Sequence, residues 1–151
     1  MTRWPVYDDD EIAAVADVLR SGKVNQWTGP QVGDFERAYA AYLGSKHTIA
    51  LANGTLALDL ALVAIGLQAG DEVIVTPRSF VASASCVAMA GGVPVFAEVD
   101  ADSQNMSAAT ISPVITSKTR AIIVVHLAGW PCDMDAIMAL AKKHDIWVIE
   151  D

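Results

Sequence analysis

Ala121-Ile122-Ile123-Val124-Val125 is an uninterrupted apolar run inside a predicted strand over residues 120–127. Strands that are apolar at every position, rather than at alternate positions, are typical of a parallel sheet that is covered on both faces. The run therefore indicates a buried strand in the middle of a sheet, with helices packed above and below it.

Strands and helices alternate on both sides of this strand. The other predicted strands cover residues 47–51, 72–76, 93–99 and 146–149. The predicted helices cover residues 55–66, 81–90, 108–116 and 133–144, and two more precede the first strand. The acidic residues 8–11 are suited to the N-terminus of the first helix through capping and the helix dipole. The alternation predicts an α/β fold in three layers around a mainly parallel sheet.

The composition is that of a folded, acidic protein. The chain has 151 residues, 53% of them hydrophobic, and a net charge of −8 from 10 lysines and arginines against 18 acids. This length corresponds to one domain with a sizeable core. The acidic balance argues against nucleic acid and anionic membranes as partners, because both select basic patches.

Three features predict a cytoplasmic location. The N-terminus has no apolar signal segment, and the uncharged residues 80–97 are interrupted by Gly91, Gly92 and Pro94. Helix-turn-strand is therefore expected there rather than a membrane span. Cys86 and Cys132 have neither disulfide-framework nor metal-ligand spacing, which favours a reducing compartment.

Ligands bind such sheets at the carboxyl ends of the strands, so the turns there form the candidate site. The four turns are Asn53-Gly54-Thr55, Thr76-Pro77-Arg78-Ser79-Phe80, His126-Leu127-Ala128-Gly129-Trp130 and Glu150-Asp151. The first turn opens a helix, where unpaired N–H groups and the dipole favour an anion such as a phosphate. Gly54 allows close approach of the anion, and the Thr55 hydroxyl adds a hydrogen bond.

Pyridoxal 5'-phosphate (PLP) has three features that match these turns. Gly54 and Thr55 would hold its phosphate, Phe80 would stack on its ring, and Asp151 would face its protonated ring nitrogen. A carboxylate at the end of a buried strand needs such a partner, because burying an unpaired charge is costly. The protonated pyridine makes the ring an electron sink.

Each of these residues taken alone also fits a structural role. The Asn-Gly-Thr turn fits bare turn chemistry, Phe80 fits the core, and Asp151 fits a helix cap or a chain-end carboxylate. His126 fits a hydrogen-bonded turn histidine better than a catalyst. Only their joint placement at the strand ends favours a cofactor site.

Other common sites lack their fingerprints in this sequence. It contains no GxGxxG, GxxxxGK[ST] or GxSxG motif. His47, His126 and His144 lie far apart along the chain, so we expect no metal site.

The chain as a whole resembles the N-terminal part of a DegT/DnrJ/StrS-type PLP-dependent nucleotide-sugar aminotransferase. The matching motifs are Trp27-Thr28-Gly29-Pro30 with Phe35-Glu36, Ala52-Asn53-Gly54-Thr55 with Ala57-Leu58, Gly70-Asp71-Glu72-Val73-Ile74-Val75, Thr76-Pro77-Arg78-Ser79-Phe80-Val81-Ala82-Ser83, Pro94-Val95-Phe96 with Val99-Asp100, His126-Leu127-Ala128-Gly129, Asp133-Met134-Asp135 and Val148-Ile149-Glu150-Asp151. Lys23-Val24-Asn25 and Trp130-Pro131-Cys132-Asp133 look most like perosamine-synthase-type members, which aminate a 4-keto-6-deoxy sugar on a nucleotide.

The resemblance implies a type I (aspartate aminotransferase-like) PLP fold, with residues 1–151 as the N-terminal portion of its large domain. It implies PLP as cofactor, glutamate as amino donor, a nucleotide-sugar substrate and a homodimer with active sites at the subunit interface. Gly54 and Thr55 match the phosphate-binding turn, Phe80 the stacked aromatic residue, and Asp151 the acid on the pyridine nitrogen. The product would enter deoxysugar or lipopolysaccharide O-antigen biosynthesis.

One family feature is expected beyond Asp151. The family's Schiff-base lysine follows the Glu-Asp pair, and no lysine of residues 1–151 matches it; those present are Lys23, Lys46, Lys118, Lys142 and Lys143. Thus no catalytic residue is assigned in this chain, and residues 1–151 alone are expected to be inactive. The rest of the large domain and a small C-terminal domain are expected outside it. Two alternatives stay open: a PLP-dependent sugar dehydratase of the same fold, with histidine in place of the lysine, or a non-catalytic truncated or binding protein.

Overall fold

The structure, a computed structural model, describes residues 4–151. The chain divides into two compact units, Met1–Ala50 and Leu51–Asp151. No linker-like composition marks this division in the sequence. The candidate site residues all lie in the second unit.

Two helices form most of the first unit: α1, Asp9–Ser21, and α2, Gln31–Leu43. The capping role predicted for the acidic residues is confirmed, since the Asp8 N–H donates to Glu11 Oε2 at 2.8 Å. Both helices end at a glycine in the left-handed region, Gly22 and Gly44, where a side chain on Cβ would be strained.

The prediction of a strand over residues 47–51 is wrong. These residues form no strand, although their sequence is as apolar as that of the true strands. A strand exists only through hydrogen bonds to a neighbour, and no strand of the described chain pairs with this segment.

The second unit is built on a four-stranded parallel sheet in the order β2-β1-β3-β4. Its strands are β1, Glu72–Val75; β2, Val93–Phe96; β3, Thr119–Val124; and β4, Trp147–Glu150. The apolar run that predicted a central strand is confirmed, because β3 lies between β1 and β4. Ile122 pairs with Ile74 on one side and with Val148 on the other.

Four helices accompany the sheet: α3, Gly54–Ala64; α4, Ala82–Met89; α5, Ala108–Ile111; and α6, Met134–His144. Three predicted elements extend at least three residues past the observed ends. The helix over residues 108–116 is one α-turn followed by a 3₁₀ turn at Ser112–Val114, because Pro113 has no N–H to donate. The strands predicted to extend to residues 99 and 127 end at Phe96 and Val124.

The core lies in two layers, one on each face of the sheet. On one face Ile74 and Ile122 pack with Ile137 and Ala141 of α6. On the other face their neighbours in sequence pack with α3 and α4; the residues of that layer are Leu58, Leu62, Val73, Val75, Ala82, Cys86, Val87, Ala121 and Ile123. Successive residues of a strand point to opposite faces, so covering both faces requires an apolar residue at every position. The three-layer α/β prediction is therefore confirmed.

Residues 80–97 contain α4 and β2, joined through Gly91 at φ 84°, as the helix-turn-strand prediction requires. Among residues 4–151 no helix is both long and apolar enough to cross a membrane.

Both cysteine thiols are expected to react slowly with a thiol reagent while the protein is folded. Cys86 and Cys132 are buried, and burial raises the pKa of each thiol above its usual range. The negative charges of Asp59 and Asp151 raise the pKa of Cys86 further, and that of Glu150 does so for Cys132. A raised thiol pKa means less of the reactive thiolate near neutral pH. Titration with Ellman's reagent, before and after unfolding in guanidinium chloride, measures this. Equal rates in the two states would contradict it.

Candidate active site

The first turn of α3 lies at the carboxyl edge of the sheet. Only a short connection joins Ala64, at the end of α3, to the start of β1 at Glu72. The last turn of α3 is therefore near the amino end of β1. A helix of 11 residues is about 16 Å long, comparable to a short strand. Its N-terminus thus reaches the edge where ligands bind parallel sheets.

The Asn53-Gly54-Thr55 turn leaves backbone donors available at this edge. Asn53 is the N-cap, with extended φ and ψ, and its Oδ1 accepts the Leu56 N–H at 3.0 Å. Its carbonyl accepts the Ala57 N–H at 3.2 Å. The N–H groups of Gly54 and Thr55 belong to the first helical turn, where no intrahelical carbonyl can accept them. The helix dipole adds positive potential at the same point.

Open space surrounds Gly54. A Cβ added at Gly54 would meet no protein atom within 4 Å. The φ of Gly54 also lies outside the left-handed region that favours glycine. Neither packing nor backbone conformation within the described chain therefore requires a glycine here. A ligand that approaches the backbone closely would require one, which fits a bound phosphate.

Phe80 is not a core residue. Its side chain is 73% exposed in the turn between β1 and α4. From the sequence alone, a core position for Phe80 is the more common interpretation. The exposed ring shows that this interpretation is wrong. The exposed ring is available to stack on a flat ligand.

Asp151 continues the line of β4 past its end. The Asp151 N–H donates to the Val124 carbonyl at 2.8 Å, and the Asp151 carbonyl accepts the His126 N–H at 3.3 Å. Its side-chain Oδ2 accepts a hydrogen bond from Ser83 Oγ at 2.6 Å. The residue is therefore not a helix cap; its carboxylate faces the first turn of α4.

The hydroxyl of Ser83 lies at this site, and sequence reasoning assigned it no role. Ser83 is only 1% exposed, and its Oγ also lies 2.8 Å from Ser79 Oγ. In the sequence Ser83 is one of several small residues in a helix without charge, and nothing there links it to Asp151. Two signals were available in the sequence: Ser83 is the last residue of the matching motif that begins at Thr76, and it lies three residues after Phe80.

His126 has a protein partner on each ring nitrogen. Its Nδ1 accepts the Cys132 N–H at 3.1 Å, so the ring proton is on Nε2, which donates to Glu150 Oε2 at 2.9 Å. These two bonds hold the turn after β3, as expected of a turn histidine. They leave neither nitrogen available for acid–base work on a ligand.

The structure brings Asp151 into direct contact with Ser83, which in turn is hydrogen-bonded to Ser79. The Gly54 turn and Phe80 lie at the same sheet edge, but in the described part of the chain neither donates a hydrogen bond to the Asp151 side chain. The helices that carry these turns pack together, since Leu58 and Leu62 of α3 share a core layer with Cys86 and Val87 of α4. This edge thus offers a helix N-terminus with unpaired backbone donors, an exposed aromatic ring and a carboxylate held by a hydrogen bond.

Known proteins resemble this chain over nearly its full length. The model of the DegT/DnrJ/EryC1/StrS aminotransferase family matches residues 5–151. The spore coat polysaccharide biosynthesis protein SpsC of Bacillus subtilis is 40% identical over 147 residues, which are 97% of this chain. The UDP-4-amino-4-deoxy-L-arabinose–oxoglutarate aminotransferase of Shewanella sediminis is also 40% identical over 147 residues, again 97% of this chain. The chain spans 37% of the length of each of these curated relatives.

Solved structures share the fold closely. An aminotransferase from Psychrobacter cryohalolentis superimposes with a TM-score of 0.97 at 53% identity, over 99% of this chain and 38% of that protein. Solved relatives at 33% or 34% identity include a PLP form and forms with pyridoxamine phosphate (PMP). PLP is therefore the cofactor of the family.

Proposed function

Since the chain belongs to the DegT/DnrJ/EryC1/StrS aminotransferase family, we propose that the whole protein is a PLP-dependent sugar aminotransferase. It transfers an amino group from glutamate to a keto group of a nucleotide-linked deoxysugar, of the 4-keto-6-deoxyhexose type. The observation that carries the proposal is the Asp151 carboxylate, held by Ser83 at the carboxyl edge of the sheet. A fixed carboxylate at that point suits a protonated pyridine nitrogen.

Four residues of this chain are proposed to hold the cofactor. The N–H groups of Gly54 and Thr55, with the Thr55 hydroxyl, bind the phosphate at the N-terminus of α3. Phe80 packs on the pyridine ring, and Asp151 keeps a proton on the ring nitrogen. When bound, PLP supplies an electron sink that lets a proton leave the carbon next to the transferred nitrogen. The chain's own contribution is to bind, orient and polarise that ring.

The donor and acceptor follow from the chemistry in the relatives' names. The Shewanella enzyme is named for an amino sugar on UDP and for oxoglutarate, the keto acid that glutamate leaves behind after giving up its amino group. SpsC is named for polysaccharide biosynthesis. We extend this chemistry to the present protein, with a perosamine-synthase-type acceptor and a role in cell-surface polysaccharide synthesis such as the O-antigen.

The remaining parts of the proposal concern the whole protein. A lysine outside residues 1–151 forms the covalent link to PLP, and the remainder of the large domain and a small C-terminal domain complete the fold. The protein works as a homodimer in the cytoplasm. Residues 1–151 alone are inactive, because they contain part of the cofactor site and no matching lysine.

The decisive experiment uses the protein expressed from the complete gene. The protein is incubated with PLP, reduced with borohydride and analysed by intact mass and peptide mapping. A pyridoxyl group on one lysine beyond Asp151 is expected. Adding glutamate alone before reduction should convert the bound PLP to PMP, seen as a change in absorbance. PLP binding without a lysine adduct would favour the dehydratase alternative, and no PLP binding would favour a non-catalytic protein.

Replacing Phe80 with Ala is expected to weaken PLP binding by about tenfold, since stacking between aromatic rings contributes about 0.5–1.5 kcal/mol beyond the buried area. The folded structure should be unaffected, because the ring is largely exposed. Titration of the apoprotein with PLP gives the dissociation constant. Phe80→Tyr, which keeps an aromatic ring, is the matched control. A wild-type dissociation constant for Phe80→Ala would rule out the stacking role.

A further inference from the structure

We infer that Ser83, supported by Ser79, is a positioning residue that fixes the Asp151 carboxylate for the cofactor. The inference rests on the proposed function. It extends that function to two hydroxyls that make no contact with PLP in the proposal.

The directions of the two hydrogen bonds follow from their chemistry. Ser83 Oγ is 2.6 Å from Asp151 Oδ2, and Ser79 Oγ is 2.8 Å from Ser83 Oγ. An ionised carboxylate can only accept hydrogen bonds, so Ser83 donates its single hydroxyl hydrogen to Asp151. Ser83 must then accept the bond from Ser79. The three groups form a chain in which Ser79 donates to Ser83 and Ser83 donates to Asp151.

Burial makes Ser83 the fixed member of this chain. Ser83 is 1% exposed and lies between the buried residues Ala82 and Cys86 of α4. Asp151 is exposed and lies one residue beyond β4. Its backbone is paired with Val124 and His126. With the backbone held, the carboxylate can still rotate, and the hydrogen bond from Ser83 restrains that rotation.

One carboxylate oxygen is left for a ligand. Oδ2 is taken by Ser83, and Oδ1 of Asp151 has no hydrogen-bond partner in the part of the chain that the structure describes. A carboxylate held by one oxygen presents the other in a defined direction. That is the requirement for holding a proton on a ring nitrogen, because hydrogen bonds weaken steeply as their angle departs from linearity.

An ordinary structural role explains the Ser83 geometry less well. A serine inside a helix commonly returns its hydrogen bond to a backbone carbonyl of the preceding turn. Ser83 instead reaches across 68 positions of sequence to a carboxylate, at a charge-assisted distance. Ser85, in the same helix, makes no side-chain hydrogen bond among residues 4–151, so it serves as a serine of α4 without this role.

The test measures the PLP dissociation constant of the full-length apoprotein. Ser83→Ala is expected to weaken PLP binding by about tenfold or more, the equivalent of one hydrogen bond to a charged group. Ser83→Thr, which keeps the hydroxyl, should restore binding. Ser85→Ala is the matched control and should bind as the wild type does. Thermal unfolding of each apoprotein shows whether it is folded. If Ser83→Ala does not fold, Ser79→Ala takes its place, with an expected weakening of about twofold.

A double-mutant cycle separates positioning from a general effect on the fold. If Ser83 acts through Asp151, Ser83→Ala in an Asp151→Ala background, which has no side-chain acceptor for the Ser83 hydroxyl, should change PLP affinity by less than about twofold. The same loss in both backgrounds would overturn the inference, and so would wild-type affinity of a folded Ser83→Ala. A wild-type protein that binds no PLP would instead overturn the proposed function. The two failures are therefore distinguishable.

Discussion

Asp151→Asn in the full-length protein is expected to lower the rate of the glutamate half-reaction by at least about a hundredfold, as the loss of one preorganised electrostatic contact does. Asparagine has the shape of aspartate, so the Ser83 hydroxyl can still donate to its side-chain oxygen. That bond would turn the amide NH₂ toward the ring nitrogen. A donor at that point favours an unprotonated nitrogen, and the ring then withdraws electrons poorly.

The measurement is the single-turnover conversion of bound PLP to PMP by glutamate, followed by absorbance. Asp145→Asn is the matched control. Asp145 is exposed, caps the C-terminus of α6 in the left-handed region at φ 55°, and precedes β4 at the opposite edge of the sheet. Asparagine tolerates that conformation, so this variant should react at the wild-type rate. An unchanged rate for Asp151→Asn would remove the proposed role of Asp151.

The sequence predicted this fold where burial alone determines the structure. β3 is covered on both faces, and a strand with one face in water would carry polar residues at alternate positions instead of a continuous apolar run. The predictions of strands fail where hydrogen bonding to a neighbouring strand determines the structure. Residues 47–51 are apolar enough for a strand but lack a partner within the described chain. β2 ends at Phe96 because it pairs with β1, whose last residue is Val75. No local pattern contains this information.

The same contrast between local sequence patterns and contacts of distant residues applies to the candidate site. Gly54, Thr55, Phe80 and Asp151 were found from the sequence because each lies in a turn next to a strand or helix end, and such turns have recognisable sequence patterns. Their roles toward PLP remain predictions. The sequence gives no reason to assign a role to Ser83, because its proposed role depends on one hydrogen bond between residues 68 positions apart. The exposure of Phe80 was equally inaccessible, since an aromatic residue after an apolar strand is compatible with either environment.

Gly54→Asp is expected to have opposite effects on the stability of the apoprotein and on its affinity for PLP. In the apoprotein it should preserve or raise the free energy of unfolding, by up to about 1 kcal/mol, because an acid in the first helical turn interacts favourably with the dipole. The structure leaves room for the substitution, since a Cβ at Gly54 meets no protein atom within 4 Å. The backbone at Gly54 is also outside the region that excludes side chains.

The same carboxylate should abolish cofactor binding. It would occupy the position proposed for the PLP phosphate and would place like charges next to each other, which costs several kcal/mol, or at least about a hundredfold in affinity. Gly54→Asn is the matched control, because it has the same size without the charge. We expect it to bind PLP more weakly than the wild type and more tightly than Gly54→Asp.

Two measurements on each apoprotein, thermal unfolding and PLP titration, decide between the possible roles of this turn. Wild-type PLP affinity in Gly54→Asp would mean that the N-terminus of α3 does not bind the phosphate. A fall in melting temperature would mean that the space around Gly54 is needed by the protein itself. Equal losses of affinity in the Asp and Asn variants would mean that the side chain excludes the ligand by size. An anion site at Gly54 and Thr55 requires that both variants keep their stability and that PLP affinity falls further in Gly54→Asp than in Gly54→Asn. Charge alone distinguishes those two side chains.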